Sequence, residues 1–286
     1  MVPVIDISRD DAVDEVRAAC EEVGFLAIVG HGVAEETVEE VASRSRAFFD
    51  LPDEEKRRFA DGPLTPGLPV YRPLRAERLG ATGGGDAPAD LKQSLDWGPT
   101  LPGVAWPDDL ERPYRAYYAE MHRVARRLRG LLALALGRDE AWFEPYADEA
   151  SSSLRVIDYP ETGPAYPEGQ LRAGAHRDYG FLTILRTEDA PGGLQVQTRA
   201  GEWVDVPAIA GAFVVNLGDL LAEWTGGRWV STLHRVVLPP PDAARGSRRQ
   251  SLVFFHNPRA DAYIETLGTT AGAYVQAKAD AAFGAR

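Results

Sequence analysis

The sequence predicts an α+β protein with a mainly β core, a double-stranded β-helix (jelly roll) buttressed by N-terminal and central helices. Helical periodicity dominates residues 1–150, where apolar side chains recur every three to four positions. From about residue 153 the chain changes to short apolar or alternating runs separated by glycines, a pattern typical of a β-sandwich or barrel-like fold. No internal repeat divides the chain, so we expect a single domain over residues 1–286. It would have a helix-rich part at 1–150, a jelly-roll core at 151–260 and a C-terminal helix within 261–286.

The helices are predicted from apolar periodicity and from the signals at their ends. Acidic residues fill the first turn of the first helix, as the helix dipole favours, and Gly24 ends it. In the longest helix, tyrosines and leucines recur to make one apolar stripe that should face the core. The predicted helices cover residues 10–23, 34–49, 51–56, 107–137 and 270–283.

The strands are predicted where short apolar or alternating runs end near glycine or proline. They cover residues 2–7, 25–29, 154–159, 181–186, 194–198, 203–206, 213–216, 232–238 and 251–255. Residues 61–107, by contrast, are rich in proline and glycine, with a glycine run near 80–85. Such a stretch suits a plain connection and a substrate lid equally well, so the sequence leaves open whether loop 80–89 is a lid.

Charge and cysteine content exclude several classes of protein. The net charge of −12 argues against a general nucleic-acid binder and against a protein that adheres to anionic membranes, since both need clustered positive charge. The single cysteine, Cys20, permits no disulfide or thiolate zinc site within the chain, and its helical pattern predicts a buried core thiol. The N-terminus shows no signal peptide and no transmembrane span, so we expect a cytoplasmic protein.

Two histidines and one aspartate are the strongest candidates for metal ligands. His176 and Asp178 lie in a run that reads as β-strand, where residues i and i+2 face the same way. Taken alone, this pair fits two polar residues that only hydrogen-bond their neighbours. His234, in another predicted strand, favours the metal site. Two imidazoles and one carboxylate can occupy one face of an octahedral iron(II) and leave three positions open.

An arginine and a serine two residues apart form a second candidate site. Arg249 and Ser251 would point to the same side of a strand. A guanidinium can bind a carboxylate in two places, and the hydroxyl adds a donor. Arg248 and Arg249 could instead be a surface hairpin pair, but the apolar run at 252–255 favours a buried strand. The sequence therefore predicts a clamp for an anionic cosubstrate.

With these residues in place, the sequence resembles a known family. It is similar to the iron(II)- and 2-oxoglutarate-dependent dioxygenases of the isopenicillin N synthase-like group. The matching segments run in order along nearly the whole chain and are specific for the superfamily, but they say little about the substrate. They cover residues 3–7, 24–33, 179–185, 193–196, 211–219 and 224–236.

The resemblance implies a role for each candidate. The two histidines and the aspartate would bind Fe(II), and Arg249 and Ser251 would bind the distal carboxylate of 2-oxoglutarate. Tyr159 matches a tyrosine that often contacts the cosubstrate. Plant members often carry Asn at the position of Ile157 and usually Thr at the position of Arg177. By strand alternation, Arg177 should point away from the iron and reach either substrate or a surface acid.

The implied enzyme uses Fe(II), 2-oxoglutarate and O2 to hydroxylate, desaturate or cyclise a small molecule, in specialised metabolism, and releases succinate and CO2. A cytoplasmic location would help to keep the iron reduced. One alternative is an iron oxidase of the same fold that does not use 2-oxoglutarate, since the Arg–Ser pair could hold a substrate carboxylate. Another is a non-catalytic jelly-roll protein that binds a ligand, although such a protein needs no open metal positions.

Substrate contacts are expected from loops and strand ends that resemble the substrate side of the family. Arginines there would suit a carboxylated or phosphorylated substrate and aromatic side chains a planar or apolar one, and each could equally be a packing residue. The candidates are Tyr71, Arg72, Arg78, Trp97, Arg177, Phe181, Phe255 and His256. The substrate, the outcome of oxidation and the oligomeric state stay open.

Overall fold

The computed structural model describes residues 1–60, 70–83, 87–99, 106–163 and 166–283. Its helices follow the predicted ones closely, except that a short helix after residue 218 was not predicted. They are α1 (Val13–Glu22), α2 (Glu35–Phe49), α3 (Asp53–Arg57), α4 (Asp108–Ala135), α5 (Asp219–Trp224) and α6 (Ala271–Phe283). Shorter 3₁₀ segments include Leu79–Gly83 and Glu149–Ser151.

Most strands of the second half also match the predicted runs, with shifts of a few residues at their ends, but the two short strands within 263–270 were not predicted. In chain order they are β1 (Val4–Asp6), β2 (Phe25–Val29), β3 (Tyr71–Arg72), β4 (Gln93–Trp97), β5 (Ser153–Tyr159), β6 (Ala173–His176), β7 (Leu182–Thr187), β8 (Gly193–Gln197), β9 (Trp203–Asp205), β10 (Phe213–Leu217), β11 (His234–Val237), β12 (Arg249–His256), β13 (Tyr263–Ile264) and β14 (Thr269–Thr270).

Two sheets form the core. The larger has the order β1-β2-β10-β7-β12-β5-β4-β3, and the smaller has the order β6-β11-β8-β9. Their pairings are antiparallel apart from β1 with β2. Phe25 and Val214 of the larger sheet share an apolar cluster with Leu194 and Val196 of the smaller sheet, so the two sheets face each other. This arrangement confirms the predicted jelly roll.

Strand alternation separates the two faces of the larger sheet. On β12, Leu252 and Phe254 pack into the main apolar core with the helices, while Val253 and Phe255 face the opposite way. Helix α4 packs against α1 and α2 on the helix side, and its predicted stripe of tyrosines and leucines is buried. Each such side chain contributes about 1.5–3 kcal/mol of hydrophobic stabilisation. The helices therefore cover one face and leave the other to line a cavity.

Two strands lie in the stretch that sequence analysis treated as a loop. β4 pairs with β5 along its whole length, and β3 extends the sheet by one further short strand. The reason for the miss is chemical, because β4 carries Gln93, Ser94 and Asp96, which are buried through polar contacts rather than by an apolar pattern. Of the loop at 80–89, residues 84–86 lie outside the described part, so its role as a lid stays a prediction.

Two further expectations can be compared with the structure. Cys20 is buried and free, as predicted. Among the described residues, no helix combines the length and apolar character needed to cross a membrane.

Candidate active site

His176 and His234 face each other across the smaller sheet. His176 is the last residue of β6, His234 is the first residue of β11, and the two are paired in register. Nε2 of each imidazole lies 3.7 Å from Oδ1 of Asp178. The ligand atoms of all three residues lie within 4.8 Å of one another, close enough to bind one metal ion.

Backbone carbonyls fix the orientation of both imidazoles. Nδ1 of His176 lies 2.7 Å from the carbonyl oxygen of Gly174, and Nδ1 of His234 lies 3.1 Å from that of Thr232. A carbonyl only accepts, so Nδ1 carries the proton and the Nε2 lone pair faces Asp178. Burial, and then the neighbouring His234, lower the pKa of His176 to about 3. The imidazole is therefore neutral and able to bind a metal.

The Asp178 carboxylate is held at one oxygen and open at the other. Oδ2 accepts hydrogen bonds from the Thr183 hydroxyl and from Nδ2 of Asn216, the latter at 2.8 Å. Burial favours the neutral acid, but His234, His176 and the two hydrogen bonds hold the pKa of Asp178 below its usual value. Asp178 is thus a carboxylate whose Oδ1 faces the imidazoles. Sequence reasoning singled out neither Thr183 nor Asn216, because both lie on other strands.

The local backbone at Asp178 differs from the prediction. β6 ends at His176, so the strand reading of residues 174–180 was too long. Asp178 lies in the following turn, where its carbonyl accepts a hydrogen bond from the backbone amide of Asp219 at 2.8 Å. Arg177 is exposed, donates from Nε to the Ser231 carbonyl rather than to an acid, and borders the cavity. The turn, not strand alternation, brings the carboxylate to the histidines.

Arg249 is a buried cation that lacks an acidic partner. Its side chain donates from Nη1 to the Gly192 carbonyl at 2.7 Å and from Nη2 to the Thr187 hydroxyl, while Nε is buried without a hydrogen-bond partner. In the described parts of the chain, no carboxylate lies within ion-pair distance of it. Burial lowers the pKa of Arg249, a sign that the charged form is poorly compensated. A buried charge without a counter-charge is costly, so this site fits an anionic ligand.

Ser251 and Tyr159 lie with Arg249 in the same cavity. Oγ of Ser251 lies 3.2 Å from Oγ1 of Thr187, which links the serine to the arginine. Tyr159 pairs with Arg249 across β5 and β12 and is buried, and its burial raises the pKa of the phenol. The phenol therefore stays protonated, and the three predicted cosubstrate residues form one cluster.

A second buried arginine lies beside this cluster and was not predicted. Arg172 donates to the Pro191 carbonyl at 3.1 Å and to the Ser247 carbonyl at 2.6 Å. It too has no ion-pair partner among the residues described. Burial, and then the positive charge of Arg249, lower the pKa of Arg172 to about 10. Two cations thus adjoin the anion site, and the second is bound to backbone oxygens that no sequence pattern reveals.

A cavity of about 1080 Å³ contains both clusters. The cavity faces of the two sheets line it, and Val275 and Gln276 of α6 border it as well. Four of the predicted substrate residues also line it: Arg72, Trp97, Arg177 and Phe255.

The other four predicted substrate residues lie outside the lining of this cavity. Tyr71 is buried beside Phe48, and its hydroxyl donates to Gln93 at 2.7 Å. Phe181 packs edge to face against Phe143 and Trp224. These two are therefore packing residues.

His256 and Arg78 are also remote from the lining. His256 is buried between Nη1 of Arg129 and the Ser152 hydroxyl, each 3.0 Å from a ring nitrogen. It lies at the end of β12, but its side chain points to the helix side of the sheet. Arg78 is exposed.

Comparison with known proteins identifies the family. Residues 2–120 match the model described as "non-haem dioxygenase in morphine synthesis N-terminal", and residues 150–258 match the 2OG-Fe(II) oxygenase superfamily. The chain is 33% identical to a validamycin A dioxygenase of Streptomyces hygroscopicus subsp. limoneus, over 95% of this chain and 80% of the relative. It is 32% identical to a homoarginine-6-hydroxylase of Arabidopsis thaliana, over 93% of this chain and 87% of that relative.

A solved structure gives the same result. A Neurospora crassa protein, solved at full length in complex with alpha-KG (2-oxoglutarate) and thymine, superposes with a TM-score of 0.81 at 28% identity. The match covers 97% of this chain and 96% of that one. These comparisons support neither the 2-oxoglutarate-independent oxidase nor the non-catalytic binding protein. The chain belongs to the 2OG-Fe(II) oxygenase superfamily and is a non-haem dioxygenase that uses Fe(II), 2-oxoglutarate and O2.

Proposed function

We propose that His176, Asp178 and His234 bind the iron, and that Arg249 and Ser251 bind the distal carboxylate of 2-oxoglutarate. The enzyme would oxidise a small molecule held in the rest of the cavity, by hydroxylation, desaturation or ring closure. The observation that carries this proposal is the buried Arg249 guanidinium, which has no acidic partner in the described chain. The cosubstrate carboxylate would supply the missing charge.

The residues around the metal set support the same roles. Three protein ligands leave three positions of an octahedral ion open, which is enough for a bidentate cosubstrate and for dioxygen. Iron and 2-oxoglutarate, when bound, supply an oxidant able to attack unactivated C–H bonds, with release of succinate and CO2. The protein's part is to fix the orientation of both imidazoles, to present Oδ1 of Asp178, and to enclose the substrate in the cavity.

The substrate class and the domain organisation are part of the proposal. The names of two relatives refer to small molecules, validamycin A and homoarginine, which supports a small-molecule substrate in specialised metabolism. We propose one dioxygenase domain over residues 1–286. The larger sheet supports this, because β1 to β4 from the N-terminal part are hydrogen-bonded into it alongside strands of the core.

The test is an anaerobic titration with Fe(II) and 2-oxoglutarate, followed through the weak visible metal-to-ligand charge-transfer band. The band should appear only with both components and be lost in His234→Ala. Arg249→Gln should weaken 2-oxoglutarate binding by a factor of about 10–150, the range for hydrogen bonds to charged groups. Arg245→Gln, at an exposed arginine in the loop before β12, is the matched control. If Arg249→Gln binds 2-oxoglutarate with the affinity of the wild type, Arg249 does not bind the cosubstrate carboxylate.

A further inference from the structure

One wall of the active-site cavity is formed by buried charged residues that the proposed iron and cosubstrate sites do not use. We call it the charged wall, and it consists of Arg72, Glu77, Lys92, Asp96 and Arg155. These residues come from β3, β4, β5 and the segment between β3 and β4. Their side chains are only 5–16% exposed, although all five line the cavity. Buried charges are costly unless they are paired and hydrogen-bonded, so the partners of each group decide what the wall can bind.

The carboxylates of the charged wall are fully engaged within it. Oδ2 of Asp96 accepts from Nε of Arg72 at 2.8 Å and from Nη2 of Arg155 at 3.1 Å, and Oδ1 accepts from Nε of Arg155. Glu77 pairs through Oε1 with Arg155 at 3.3 Å and through Oε2 with Lys92 at 2.8 Å. Each of the four carboxylate oxygens of the wall therefore already has at least one donor within the wall.

The charged wall, by contrast, still has hydrogen-bond donors that could bind a ligand. The hydrogen bond of Arg72 to the described part of the protein uses Nε, so its two terminal nitrogens have no acceptor there. Asp90, behind the wall, lies 3.7 Å from Lys92, and its two oxygens accept from the backbone amides of Gly174 and Leu79. With Asp90 included, three cations and three acids balance. The wall is therefore close to neutral, and the terminal nitrogens of Arg72 have no acceptor among the described residues.

Strand geometry separates this edge from the proposed 2-oxoglutarate clamp. Arg155, Ile157 and Tyr159 alternate on the cavity face of β5, with Arg155 in the charged wall and Tyr159 beside Arg249. Four residues of a strand span roughly 13 Å, which is too far for one small dianion to occupy both sites beside the iron. On the neighbouring strand, Val253 lies opposite Arg155 and Phe255 lies opposite Ser153, and the Arg155 guanidinium lies over the Phe255 ring.

From this arrangement we propose that the substrate is a carboxylic acid with an apolar body, and that Arg72 is the residue that binds its carboxylate. A guanidinium fork matches a carboxylate in two places. A phosphate, with a charge of about −1.5 to −2, would bring more surplus negative charge to this wall than a carboxylate, which carries a single charge. Asp96 and Glu77 hold Arg155 in place. The part of the substrate that reaches the iron packs against the apolar side chains Ile157, Val253 and Phe255 of β5 and β12.

This inference rests on the proposed function, and its test keeps the two apart. The wild-type enzyme, loaded anaerobically with Fe(II) and 2-oxoglutarate, is titrated with arylalkanoic acids such as 4-phenylbutyrate and with the primary amide of each. Binding is followed by perturbation of the charge-transfer band, and succinate release is measured after oxygen is admitted. A missing band before any acid is added would contradict the proposed function itself, whereas the acid series tests Arg72 alone.

We expect acids to bind at least about tenfold more tightly than their amides, since hydrogen bonds to a charged group are at stake. Arg72→Gln should remove this preference, and Arg72→Lys should retain part of it. Arg78→Gln, at an exposed arginine outside the cavity lining, should leave it unchanged. Formation of the band by each variant shows that the site has folded. Equal binding of acids and amides, no binding of any acid, or an unchanged preference in Arg72→Gln would overturn the inference.

Discussion

Asn216 donates its side-chain amide to Oδ2 of Asp178 over 2.8 Å, from a strand of the opposite sheet. The bond, together with that from Thr183, occupies one carboxylate oxygen and leaves the other to face the two imidazoles. Residues that orient a metal ligand in this way typically change metal affinity when they are replaced. The proposed iron site therefore depends on both sheets being packed together.

The first prediction concerns this bond. Asn216→Ala should weaken Fe(II) binding by a factor of about 10–100, because Asp178 loses one of the two donors that fix its carboxylate. The measurement is an anaerobic Fe(II) titration against a competing chelator. Gln197→Ala is the control, since Gln197 donates to the Gly201 carbonyl in a hairpin turn away from the site. Iron affinity equal to that of the wild type in Asn216→Ala would mean that Thr183 suffices alone.

The second prediction concerns Thr187, which links the two residues of the proposed clamp. Its hydroxyl oxygen accepts from Arg249 and lies 3.2 Å from Oγ of Ser251. Thr187→Val keeps the shape but removes both contacts, so 2-oxoglutarate binding should weaken by about tenfold, the lower end for a hydrogen bond to a charged group. The charge-transfer band gives the affinity. Thr198→Val, in the turn before β9, should behave like the wild type.

The third prediction concerns the close approach of the β6 backbone to the 3₁₀ segment Leu79–Gly83. A Cβ added to Gly174 would lie 2.2 Å from the backbone nitrogen of Gly80, so β6 and the 3₁₀ segment must move apart. Gly174→Ala should lower the free energy of unfolding by about 1–3 kcal/mol, as overpacking does. Urea denaturation measures this. Gly163→Ala is the control, since nothing described lies within 4 Å of its added methyl group. If Gly174→Ala and Gly163→Ala are equally stable, the backbones at Gly174 and Gly80 do not approach each other closely.

The fourth prediction is a pH dependence of stability. Burial, and then the charge of Arg129, hold the pKa of His256 well below its usual value of 6.5. The folded protein keeps this histidine neutral, while the unfolded chain binds a proton below pH 6.5. The resulting stability is therefore present at neutral pH and is lost as the pH falls through the unfolded value.

Between pH 7.5 and 5.5, His256 should account for a loss of about 1 kcal/mol in the free energy of unfolding of the metal-free protein. His256→Gln lacks this titration. Its difference in stability from the wild type should shrink by that amount at the lower pH, as measured by urea unfolding at both. Parallel pH profiles of the two proteins would show that His256 does not titrate as expected.

Local pattern sufficed for the elements whose chemistry is local. The apolar stripe of α4 and the alternation of the core strands are properties of neighbouring residues, and both were predicted. The candidate ligands were recognised because His and Asp are rare in apolar strands. What the sequence could not reveal depends on remote partners: Arg172 bonds backbone oxygens at 191 and 247, and β4 is stabilised by polar contacts to other strands.

The turn of Asp178 shows the same limit. The spacing of His176 and Asp178 indicated a strand, but the backbone leaves β6 after His176, and the amide of Asp219 fixes the turn. The structure brings the predicted residues together, but the strand geometry assigned to Asp178 was wrong. Alternation from i to i+2 holds inside a long strand, as for Arg155, Ile157 and Tyr159 on the cavity face of β5, and it failed at the end of β6.

Arg172 and Arg249 bind the carbonyl oxygens of one turn, at residues 190–192, and the described structure offers them no acid. In the protein without cosubstrate, two like charges meet in the interior at the junction of β7 and β8. A dicarboxylate bound at the proposed clamp would complete the charge balance there. 2-Oxoglutarate would then be a structural counter-ion as well as a reactant, and the stability of the folded enzyme would rise with its concentration.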